Sequence, residues 1–137
     1  MPTIQHWLAK QEPDSYPWES LVRDGRTNWD GVRNFQARNN LKAMRQGDAL
    51  LFYASGETKA VMGIAAVSKA AFPDETADEP GWVAVEIKPV RALAHPVTLA
   101  QVKAEPSLAT IGLVRQSRLS VMPLTRAAFD RIVKLGS

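Results

Sequence analysis

Two short, almost wholly apolar runs, 48–55 (DALLFYAS) and 60–68 (AVMGIAAVS), stand either side of a turn at Gly56. Runs of this length, bounded by turn residues, read as buried strands rather than helices. Gly63, inside the second run, marks a bulge or a close backbone approach, a device that lets a small sheet curl. A further strand is expected over 82–93, where Val83, Val85 and Ile87 alternate with Ala84, Glu86 and Lys88 before Pro89 makes an edge or bend. Trp82 is expected in the core or at a rim, and His95-Pro96 in a loop. The first strand is expected over 4–10, stopped by Pro13, and the last carries Leu119 and Val121.

Short helices interrupt these strands. One is expected over 15–24, with Trp18, Leu21 and Val22 at apolar spacing and Gly25 as its stop; a second spans 34–45, with Phe35, Leu41 and Met44 inward and Gly47 beyond. Thr98 and Gln101 have the capping-box spacing for a helix to about residue 105, and Thr125 caps a closing helix that packs through Phe129, Ile132 and Val133. Strands and short helices without a βαβ rhythm imply an α+β fold with a small curved barrel.

The chain has 137 residues, which predicts one domain over 1–137 with its own core. It holds no cysteine, so disulfides, thiolate nucleophiles and Cys-based zinc sites are excluded. No run approaches the length of a membrane span, and a soluble, cytoplasmic protein is the expectation, with a monomer favoured. His6 and His95 lie in no metal-ligand or nucleophile pattern, and no glycine-rich phosphate loop is present. No catalytic residue, metal or cofactor is therefore expected.

The chemistry concentrates in 27–44 (TNWDGVRNFQARNNLKAM). Trp29, Asp30 and Gly31 are followed by Val32, Arg33, Asn34 and Gln36, which sets a flat ring beside forked donors and amides. That combination suits base recognition: Trp for stacking, Arg for bidentate donation, Asn or Gln for reading a base edge. Arg38, Lys42 and Arg45 are spaced i, i+4, i+7 and share a helix face, either a phosphate-binding stripe or a solvated one. Lys10 and Glu12 lie on one side of an extended segment, as pocket lining or a strand-end ion pair. Tyr53 and Ser55 share a strand face that is expected to border the pocket. In 113–123 (LVRQSRLSVMP), small hydroxyls at Ser117 and Ser120 stand beside Arg115, Arg118 and Leu119, able to meet a base edge or phosphate.

Charge is segregated in the same way. Residues 23–45 hold six Lys or Arg against two acids and 114–137 five against one, whereas 46–113 holds five against eight. Two basic segments distant in sequence would form one nucleic-acid-facing surface if the fold joined them, or two wet helices if it did not. The acidic stretch 72–81 (FPDETADEPG) argues against phosphate contact there.

The motifs HWLAKQEP, WDGVRNFQARNNL, LLFYAS and LVRQSRLSVMPLT together resemble the EVE-domain family of the PUA-like superfamily, over essentially the whole chain. The resemblance implies a PUA-like barrel and a pocket for a modified base, a modified cytosine or methylated adenine, in DNA or RNA, in a fold related to the YTH readers of methylated adenine. It departs at Gln11, where the family reads Ser, and at Ala54, where it often has His. The base-binding set is expected to be Lys10, Glu12, Trp29, Asp30, Gly31, Val32, Arg33, Asn34, Tyr53, Ser55, Arg115, Ser117, Leu119 and Ser120, with Arg38, Lys42, Arg45 and Arg118 on phosphate. The alternatives are an ASCH-type hydrolase of a modified nucleoside using Lys10 and Glu12, and a protein-interaction module with Trp29 and Trp82 as hot spots.

Overall fold

The computed structural model describes residues 4–11 and 15–137. Six strands form one sheet: β1 (His6–Gln11), β2 (Thr27–Trp29), β3 (Ala49–Ala54), β4 (Ala60–Pro73), β5 (Val83–Thr98) and β6 (Val121–Leu124), in the order β2-β5-β4-β3-β1-β6. β1 runs parallel to β3 and antiparallel to β6, and all other neighbours are antiparallel. The fold is α+β as expected, but the sheet is open rather than a closed barrel. Its edges are the three-residue β2 and the four-residue β6, which do not pair. Short edge strands offer little template for further pairing.

The second and third strands of the meander are longer than the sequence pattern predicts. β4 continues past Ser68 to Pro73, and β5 runs through Pro89 and His95-Pro96, where a loop was expected. Breaks in register along the β4–β5 ladder make this possible: the one between Val61 and Gly63 leaves residues 93–96 without a partner on β4, and Pro96 falls there. A bulge leaves residues unpaired, so a proline costs no ladder bond there. At Gly63 both sequence readings hold: the register shifts beside it, and an added Cβ would lie inside the Trp18 indole, 2.7 Å from Cε2.

Helices α1 (Trp18–Asp24), α2 (Phe35–Ala43), α3 (Leu99–Ala104), α4 (Gly112–Arg115) and α5 (Arg126–Leu135) pack around the sheet. The Thr98–Gln101 capping box forms, and Thr125 accepts from the Ala128 amide. α4 occupies a stretch expected to run directly into the last strand. Two apolar residues expected to pack inward point to solvent: Val22, and Phe35 at 65% exposure. α2 packs through Ala37 and Leu41 instead, so Phe35 lies off its buried face. The core centres on Phe52, which meets Trp18 edge-on at 5.5 Å and Trp29 at 5.6 Å. The buried Asp48 accepts from the Gln5 amide, Trp7 Nε1 and the Arg45 amide, joining β1 to the chain between α2 and β3. No helix among the described residues is long and apolar enough to cross a membrane.

Candidate nucleic-acid interface

The WDG segment leaves β2 at Trp29 and turns at Gly31, whose φ of 75° suits a residue without a Cβ. What holds the turn is Asp74, from just beyond β4. One carboxylate oxygen accepts from the Gly31 amide and from Arg33, both at 2.9 Å; the other accepts from the amide and hydroxyl of Thr76. Burial pushes this carboxyl up, but the hydrogen bonds from Thr76, Arg33 and Gly31 together hold it well below the usual carboxylate range. The acidic stretch has a structural task. Its first acid is the anchor of the loop opposite.

Three of the residues expected to contact the base have partners or surroundings of their own. Arg33 is committed to Asp74 and Thr76 and also lies 5.7 Å from the Trp82 ring, so its fork is not free to read a base. Asn34 caps α2 by accepting from the Ala37 amide, which occupies its carbonyl oxygen. Trp29 is 3% exposed with its ring against Phe52: it is core, and no open face is offered for stacking. The half-exposed aromatics lie nearby instead. Phe35 stacks on Trp82 with centroids 5.2 Å apart, and Arg38 sits over both rings at 4.9 and 5.5 Å.

Between this loop and the segment before β6 lies a groove at the C-terminal end of β1. Strand order creates it: β1 is flanked by β3 and β6, with the Lys10 amide donating to Ser120 and the Ser55 amide to Gln11. One cavity of about 530 Å³ is lined by Lys10, Gln11, Tyr53, Ser55, Gly56, Lys59, Leu99, Leu113, Ser117, Arg118 and Ser120. A second, about 350 Å³, shares Lys10, Gln11 and Ser120 and adds Trp29, Asp30, Gly31, Val32, Arg33 and Asn34. A third, about 580 Å³, shares Gln11 and residues 29–31 and continues past Ser15, Tyr16, Thr27 and Asn28. Each lies in the size range of small-ligand sites, about 300–1,000 Å³.

The groove is polar with few acids. Lys10 Nζ donates to the Ser117 carbonyl at 2.8 Å and stands 5.9 Å from the Tyr53 ring. Burial lowers the pKa of Lys10 and raises that of Tyr53. Asp30 is raised too, by burial and then by the charge of Asp74. It is the one acid lining these three cavities among the described residues.

The structure thus brings Lys10, residues 29–34, Tyr53, Ser55, Ser117, Arg118 and Ser120 to the walls of these cavities from four distant stretches. Leu119 does not join them, being buried in the core, and Arg115 ends α4 outside the three cavities. Glu12 lies outside the described residues. The expected cation stripe also breaks: α2 ends at Ala43, Met44 is extended, and Arg45 falls beside Gln5 and Trp7 rather than in line with Arg38 and Lys42. Gln11, Lys59 and the Phe35–Trp82 pair were missed. Lys59 gave no signal in sequence; it is the one non-glycine residue with positive φ, 46°, among the described residues. Phe35, three residues before Arg38, carried a usable one.

The description of the EVE domain family matches residues 5–135. Human thymocyte nuclear protein 1 is 34% identical over 95% of this chain and 73% of its own length. A crystal structure from Agrobacterium tumefaciens superposes with a TM-score of 0.95 at 40% identity, covering 97% of this chain and 93% of the other. The structure of the human protein in complex with DNA containing 5-methylcytosine superposes at 0.88 with 31% identity, covering 97% and 98%. The matched family spans the sheet, the WDG turn and the groove together, and the chain belongs to the EVE domain family.

Proposed function

We propose that this chain binds DNA carrying a modified cytosine and takes that base into the groove between Lys10, Asp30 and Ser120. The observation that carries the reading is the likeness, over nearly the whole chain, to a human protein whose structure holds DNA containing 5-methylcytosine. The groove's chemistry supports it. A carboxylate accepts from the exocyclic amine of cytosine, the pairing Asp30 would make, while Lys10 and the Asn34 side-chain amine offer donors for the ring's acceptors. Lys59 and Arg118 line the same groove and are in no ion pair among the described residues, so they serve phosphate.

The base must leave its stack to enter a pocket, which favours single-stranded or easily opened sites. A buried methyl is worth about 0.8 kcal/mol by area, and about 10- to 200-fold in a shaped pocket. The chain is a binding module on this reading, not a hydrolase. The Lys10 amine is held by the Ser117 carbonyl, and no threonine lines either cavity that Lys10 lines, among the described residues. Incubation with modified nucleosides and oligonucleotides, followed by mass spectrometry and titration, tests both statements: bound and unchanged DNA is expected, and conversion of the base contradicts it.

A further inference from the structure

We infer that the Phe35–Trp82 stack is a ledge on which the base next to the pocketed one stacks, an inference that rests on the reading above. Phe35 is a large apolar side chain left 65% exposed at the first position of α2. Its ring is not disordered apolar surface: it is fixed against Trp82 at 5.2 Å and 22°, with Arg38 over both rings. An aromatic face backed by a guanidinium is the platform that unpaired bases use, and it tolerates any base because every base has a π-face.

Position and charge favour nucleic acid over protein as the occupant. Phe35 directly follows Asn34, which lines the groove, and Arg33, which also lines it, stands 5.7 Å from the Trp82 ring. Over 35–43 the helix holds Arg38 and Lys42 and no acid. Arg33 is neutralised by Asp74, but among the described residues the Arg38 guanidinium meets only the Asn39 side chain and the rings, leaving its charge for a phosphate. Of the acids of 74–79, the first is already satisfied by Gly31, Arg33 and Thr76.

The test is a cycle between one side chain and one base. A short single strand with a central 5-methylcytosine is titrated against wild type, Phe35→Ala and Phe35→Tyr, then again with an abasic unit replacing the nucleotide on either side. An abasic unit on one side should weaken wild type about 5- to 150-fold. Phe35→Ala should lose the same factor on the intact strand and be indifferent to that unit, while Phe35→Tyr behaves as wild type. Because Phe35 is exposed, its variants should melt as wild type does. Equal losses for Phe35→Ala on intact and abasic strands, or no loss on either, overturn the ledge. The methyl preference is read in the same titrations: its absence with the coupling intact faults the pocket reading and leaves the ledge, and the converse faults the ledge alone.

Discussion

The carboxylate of Asp74 accepts the Gly31 amide at 2.9 Å, so the one turn that shapes the groove is held from a segment 43 residues away. The Asp74 side chain has no solvent exposure, whereas its partner Arg33 is 40% exposed, so solvent screens the Arg33 end of the pair. Asp74→Ala should cost about 1–3 kcal/mol and loosen the turn, lowering both the melting temperature and the affinity for modified DNA. Thermal melts with titrations read both, and a variant that melts as wild type contradicts the anchoring role.

The same residue sets an acid limit. Because its folded-state pKa lies below the unfolded value of about 3.9, its stabilisation is fully present above that value. It is lost as pH falls from there toward the folded-state value. Wild type should lose stability more steeply below about pH 4 than Asp74→Asn, measured by denaturant titration across that window.

Trp29 fills the core against Phe52, so Trp29→Ala should cost about 3–5 kcal/mol, seen as a large fall in melting temperature. A variant that melts normally but binds weakly would restore the stacking role that the sequence pointed to.

Gly63→Ala places a methyl in the Trp18 ring and should cost about 1–3 kcal/mol. Combined with Trp18→Phe, the loss should be smaller than the sum of the two, because the second change removes the obstacle. Additive melts would show that Gly63 serves the bulge alone.

The sequence made the strands at 48–55 and 60–68, the caps at Thr98 and Thr125 and the grouping of Lys10, Tyr53, Ser117 and Ser120 legible, because each follows from local pattern or strand ends. It did not reveal that Arg33 and the side-chain carbonyl oxygen of Asn34 are occupied. Their partners are Asp74, distant in the chain, and a helix start whose position only packing fixes. Trp29 and Phe35 exchanged burial for a related reason: an apolar residue at a helix or strand end can face either way, and Trp29 packs in the core against Phe52 while Phe35 faces solvent. The open sheet was likewise illegible, since closure depends on whether edge strands as short as β2 and β6 meet.

The central claim is that the groove reads the modification itself. Its most direct measurement is the affinity of the wild-type chain for two single strands that differ only by the 5-methyl group of one cytosine, at several salt concentrations. A preference of about 10- to 200-fold for the methylated strand is expected at every salt. Lys59→Gln or Arg118→Gln should weaken both strands alike and lower the salt slope by about 0.7, leaving that ratio in place. Equal affinity of the wild-type chain for the two strands would contradict the account.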